Sequence, residues 1–237
     1  MGLPKIDMPL FETKIVSSGE VVKYRPFTVK EEKILLIAQE TQESEQIVLA
    51  MKQIITNCCQ GDINAEDLPM FDLEYLLLQI RAKSVNNTLS FTVTDPDTQD
   101  PVECEIDIEN VKLDIPEGHT KFITVDEDTQ LVMGYPKLEQ LNDFLSIANP
   151  DVNQGEVLFD VMLGCIDSVV VGDEVQYLKD FSKDEVDSFL GSLPGEATVA
   201  LKNFFETMPQ LSYTLEYTNT NGDEKTMLLK GTESFFL

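Results

Sequence analysis

Basic residues are scarce in this chain. Its 237 residues hold 17 Lys and Arg against 43 Asp and Glu, a formal net charge of −26. A nucleic-acid binder displaces counterions with a basic stripe, and no such stripe is present. The same sign disfavours anionic membrane surfaces and steers the chain toward basic partners. A halophilic or marine origin produces the same bias, so charge alone does not name a partner. Cys58, Cys59, Cys104 and Cys165 show no paired spacing and no CxxC. That usage predicts reduced thiols in a cytosolic compartment. No secretory signal pattern is seen. No apolar run approaches the roughly 20 residues of a membrane span. Gly2 meets Ile6 where the myristoylation pattern needs Ser or Thr.

Reactive motifs are missing as well. HExxH, GxSxG and P-loop patterns do not occur. The single histidine, His119, follows Glu117-Gly118 and reads as a solvated turn residue. The acidic run Asp95-Pro96-Asp97-Thr98-Gln99-Asp100 departs from a calcium loop. Its sixth position, normally glycine, is Asp100, and its twelfth, normally a bidentate Glu, is Ile106. Asp126-Glu127-Asp128 reads as another solvated turn. Carboxylates are so abundant that no pair of them marks acid–base chemistry. These absences predict no enzyme, no cofactor and no metal.

What remains is 42% hydrophobic, enough for one large domain or two small ones. Pro4 and Pro9 mark an extended arm. A hairpin is predicted over 13–25, with Gly19 in its turn. Residues 29–60 read as helical, with Ile47, Met51, Ile54, Ile55 and Cys58 on one face and a polar stretch at 39–46 that either is solvated or breaks the helix. A second helix is predicted over 72–84, with Asp72 as its cap. The period then shifts to two: Leu89, Phe91 and Val93, then Val102, Cys104, Ile106 and Ile108. Strands at 122–125 and 130–133 follow. Further helices are predicted at 136–147, 155–170, from a capping box Ser182-x-x-Glu185, and from Pro194 to Thr207. A hairpin around Asn221-Gly222 closes the chain. The expected fold is α+β and mostly helical, a single unit over 1–237. An antiparallel sheet at about 87–134 is inserted as a candidate subdomain. N- and C-terminal hairpins are expected to join in one sheet.

The organising stretch is Tyr24-Arg25-Pro26-Phe27-Thr28-Val29-Lys30-Glu31-Glu32-Lys33-Ile34-Leu35. Pro26 keeps Arg25 extended. Thr28 and Glu31 form a capping box, and the first-turn acids face the positive end of the helix dipole. Arg25 stands between two aromatics, where a guanidinium either pairs internally or holds a partner's carboxylate. The apolar end Phe235-Phe236-Leu237 either fills the chain's own core or meets a partner. Arg25, Phe27, Phe235, Phe236 and Leu237 are therefore the candidate partner-binding residues.

Pro4-Lys5-Ile6 through Leu35 resembles the N-terminal block of the baseplate hub proteins of contractile-tailed bacteriophages. Phe204-Phe205-Glu206-Thr207-Met208-Pro209, Asn221-Gly222, Lys230-Gly231 and Phe235-Phe236 resemble their closing block. That family contains a hub subunit and a related hub assembly catalyst, whose role is assembly rather than covalent chemistry. The resemblance implies a non-enzymatic tail protein. It would act with the tape-measure protein and other hub subunits, in the host cytoplasm during assembly or in the baseplate of the virion. An acidic inhibitory module that mimics nucleic acid is the second reading, and a metal-dependent hydrolase the third.

Overall fold

The computed structural model describes residues 6–41, 44–61, 63–84, 87–137 and 154–231. Contacts group the chain into two compact units, Met1–Asp114 with Gln210–Leu237, and Ile115–Pro209.

In the first unit, strands β1 (Phe11–Lys14) and β2 (Val21–Tyr24) form the N-terminal hairpin, and β3 (Cys59–Gln60) pairs with β2. Gly19 supplies the left-handed turn residue at φ +76°. Helix α1 (Val29–Thr41) packs on α2 (Ser44–Cys58), and α2 on α3 (Met70–Ala82). Helix α3 is buried almost all round, through Phe71, Leu73, Leu76, Leu77, Leu78 and Ile80, as a central helix must be. Met51, Ile54 and Ile55 of α2 fill the space beside it.

Strands β4 (Thr88–Thr94) and β5 (Pro101–Asp107) make a separate two-stranded hairpin. Strand β6 (Lys112–Asp114) pairs instead with β11 (Gln210–Thr218), which pairs with β12 (Glu224–Lys230). The pairing of Asp114 with Gln210 brings together the points where the chain leaves this unit and returns to it.

The second unit holds one antiparallel sheet in the order β10-β9-β8-β7. Its strands are β7 (Phe122–Thr124), β8 (Thr129–Met133), β9 (Ile166–Val171) and β10 (Glu174–Tyr177). Helices α4 (Gln154–Gly164), α5 (Lys183–Gly191) and α6 (Gly195–Glu206) complete it. Ile123, Leu131 and Val169 meet Val161, Met162, Leu201 and Phe204 in its core.

Several expectations are corrected. The chain is not mostly helical: about 37% is helix and 32% strand, with four sheets and six helices among the described residues. The strands of 87–134 do not form one inserted sheet but divide among three. The terminal hairpins also lie in different sheets, so Tyr24 and Tyr217 do not share one. Sheet partners are chosen by long-range pairing, which a period of two does not encode. Helix α4 stops at Gly164, and Ile166–Val171 is the strand β9. Its run of β-branched residues is apolar on consecutive positions, a pattern that helix and buried strand share. The helix predicted over 136–147 lies outside the described residues.

Asp72 is not the cap of α3. That position is Pro69, and the Asp72 carboxylate accepts the amides of Val16 at 2.9 Å and Ser17 at 3.2 Å. A fully buried carboxylate on the central helix thus fastens the first hairpin. Glu74 is buried on the same helix, and burial pushes its carboxyl up to about 8. A native pKa above the ordinary 4.5 means that folding favours the protonated form. The contribution is complete below about pH 4.5 and is lost as pH rises through about 8. Glu74→Gln removes this titration. In urea melts the wild type is expected to fall behind Glu74→Gln by on the order of 2–4 kcal/mol between about pH 5 and about pH 9. Parallel curves would overturn the assignment.

Candidate functional site

The join between β2 and α1 is built around Glu31. Its side chain is buried, yet it sits where a fork of Arg25 reaches it: Nη2 donates to Oε1 at 3.1 Å and Nη1 to Oε2 at 3.3 Å. The Thr28 amide donates to Oε2 at 2.9 Å, and the Thr28 hydroxyl donates to the same oxygen. The capping box therefore forms on its carboxylate arm, with the hydroxyl turned toward the acid. Burial alone would raise the Glu31 carboxyl, but the bonds from Arg25 and Thr28 outweigh it and hold it down to about 2. The bond to Glu31 in turn raises Arg25.

Backbone bonds tie this point to the two helix ends beside it. The Arg25 amide donates to the Cys58 carbonyl at 2.9 Å, and the Phe27 amide to Ser84 Oγ at 2.7 Å. The Ser84 hydroxyl caps the Ile80 carbonyl at the end of α3. Of the residues singled out from sequence, Arg25 is thus engaged by Glu31, with 24% of its side chain in solvent, and Phe27 is buried. Phe235, Phe236 and Leu237 lie outside the described residues. Ser84, which completes the join, carried no sequence signal, because its partner is 57 residues away.

The acidic run 95–100 is a clasp within the same unit. The amide of Thr98, at 2.8 Å, and that of Asp97 hold the Asp95 carboxylate low, and the Tyr217 hydroxyl donates to its other oxygen at 2.8 Å. Lys225 pairs with Asp97 and the Thr220 hydroxyl with Asp100, each at 2.6 Å. These carboxylates fasten the β4–β5 turn to the β11–β12 hairpin. Among the described residues no three His, Cys, Asp or Glu side chains converge as a metal-ligand set.

His119 is not simply solvated. Its Nδ1 lies 3.0 Å from Thr207 Oγ1 and its Nε2 2.9 Å from Tyr135 Oη. Its ring lies 5.1 Å from that of Phe204. Because the Thr207 hydroxyl donates to the Asn203 carbonyl, it accepts from Nδ1–H, and Nε2 accepts from Tyr135. Burial lowers its pKa, with Lys121 acting the same way. Both nitrogens are committed: Nδ1 holds the end of α6 across a separation of 88 residues that local pattern does not report, and Nε2 holds Tyr135. Two of the thiols are disfavoured as thiolates: burial pushes Cys58 up to about 11 and Cys59 up to about 12.

The sites are thus joints, and comparison with known proteins says what they belong to. The model of the T4 bacteriophage base plate protein family matches residues 8–237. The chain belongs to that family. The matched range takes in the join, the acidic clasp and the closing hairpin. No curated protein and no solved structure gives a match. As a phage baseplate protein, the chain has a structural setting in the tail, and engaged rather than reactive side chains suit that setting. Among the described residues no helix is long and apolar enough to cross a membrane.

Two outcomes follow. Arg25→Ala leaves the buried Glu31 carboxylate without its main partner, so stability is expected to drop by about 3 kcal/mol in denaturant melts at neutral pH. The loss is expected to shrink as pH falls from about 4.5 toward 2, where Glu31 takes up a proton. An unchanged midpoint would remove the join from its structural role. The lone histidine gives a single set of imidazole resonances, and its NMR titration is expected to centre below the ordinary 6.5. A midpoint above that value would contradict the buried, doubly bonded ring.

Proposed function

We propose that this protein is a non-enzymatic component of the baseplate hub, acting either as a hub subunit or as a hub assembly factor. The family match over residues 8–237 carries the reading. The likeness of the first and last blocks to hub proteins narrows it from baseplate to hub. Its partners are other hub proteins and the tape-measure protein, met in the host cytoplasm as the tail is built. The charge of −26 speeds encounter with basic segments and does so less at high salt, because the screening length is about 8 Å at physiological ionic strength. We place the lasting contact at the apolar end Phe235, Phe236 and Leu237. The solvent-facing part of Arg25 joins it, with the buried Phe27 two residues on.

Affinity purification of the full chain from infected cells, followed by quantitative mass spectrometry, tests the reading. The expected result is co-purification with hub and tape-measure proteins. Presence in finished particles identifies a subunit, and absence from them an assembly factor. A chain that associates with no baseplate protein at either stage overturns the proposal. Deleting residues 235–237 is expected to cut this co-purification while leaving the melting temperature unchanged. A large drop in melting temperature instead assigns that end to the core.

A further inference from the structure

Strand register decides which side of the second unit's sheet faces out. Ile123, Leu131 and Val169 are cross-strand neighbours on the core side. The residues between them therefore lie on the opposite side. Phe122 pairs with Val132, Val132 with Ser168, and Ser168 with Tyr177, giving a row across all four strands. The adjoining row is Thr124, Gln130, Val170 and Val175. An antiparallel sheet with one wet face normally alternates apolar-in and polar-out. Here Phe122, Val132, Val170, Val175 and Tyr177 are all outward: Phe122, Val175 and Tyr177 are 57%, 53% and 44% exposed, Val132 and Val170 are half-buried, and only the small Ser168 in the first row is buried. Neither row holds a charged residue, although the chain carries −26.

The charges lie at the ends of the strands. The β7–β8 turn holds Asp126, Glu127 and Asp128, the β9–β10 turn holds Asp173, and the Gly172 amide joins the two turns through the Asp128 carbonyl at 2.8 Å. At the other end the exposed Asp167 is accompanied by Lys121 and by Lys179, whose ammonium lies 5.2 Å from the centre of the Tyr177 ring.

We propose that this outward face is a docking surface for a second protein whose own surface bears an apolar strip ending in Lys or Arg. The apolar rows supply area that loses water on contact. The joined acidic turns select the basic end and set its direction along the strands. A second copy of this chain is disfavoured because it sets −26 against −26. The choice of a protein from the same assembly as partner rests on the hub reading above.

The test places a photo-crosslinking benzoylphenylalanine at Phe122 or at Tyr177 of the full chain, expressed in infected cells. Val199 on α6, 69% exposed, serves as the control position. Crosslinks from 122 and 177, but not 199, to peptides of a second protein that combine apolar residues with Lys or Arg are expected. Crosslinks to another copy, crosslinks within the chain, acidic target peptides, or none at all overturn the proposal. In parallel, the double variant Phe122→Ser, Val175→Ser is expected to melt like the wild type and to lose at least about tenfold in co-purified hub and tape-measure protein. A variant that melts and co-purifies normally rejects the face and leaves the hub reading standing. A wild type that co-purifies with neither rejects the hub reading, and the crosslinks then decide the face alone.

Discussion

The carboxylate of Glu31 gives up water and receives in return two nitrogens of Arg25, with the amide and the hydroxyl of Thr28. An ion taken out of water costs several kcal/mol, so these bonds form together or the segment does not settle. Their position is what matters. Arg25 is held by its own amide to the end of α2, and Phe27 by its amide to the residue that caps α3. The end of the first hairpin and three helix termini thus converge on one charge. One of those termini belongs to α3, whose apolar side chains are buried almost all round.

Other acids work in the same manner at smaller scale. Asp72 takes the amides of the first turn, Asp95 those of the β4–β5 turn, and Asp126 those of the β7–β8 turn. Glu185 reaches the amide of Ser182 at the start of α5. A backbone N–H at a turn or a helix start has no ladder partner, and a nearby carboxylate supplies one with a charge-assisted bond. Part of the acidic excess therefore builds the fold.

For a baseplate protein this economy of reactive groups is informative. The histidine is bonded at both nitrogens, Cys58 and Cys59 are held protonated, and the clustered aspartates close turns against hydroxyls and a lysine. The docking proposed above for the outward side of the second sheet calls instead on apolar area and on charges that stand at the strand ends.

Local chemistry was legible in the sequence. Gly19 and the Asn221-Gly222 pair marked turns, the Thr28–Glu31 and Ser182–Glu185 spacings marked helix starts, and the spacing of Ile47, Met51, Ile54 and Ile55 marked a buried face. Each depends on residues a few positions apart, whose geometry the backbone itself imposes. The resemblance of the two terminal blocks, and not charge or thiol usage, pointed to a baseplate protein. Tertiary structure alone decided which strands share a sheet, that β6 joins β11, that 166–171 is a strand, and that Asp72 serves a turn 55 residues away. It also decided that His119 is held by Thr207 and Tyr135. The physical reason is the same in each case. Hydrogen-bond donors and apolar faces accept many partners of equal local merit, and only closure of the whole chain, with its entropy cost and its single consistent packing, selects one.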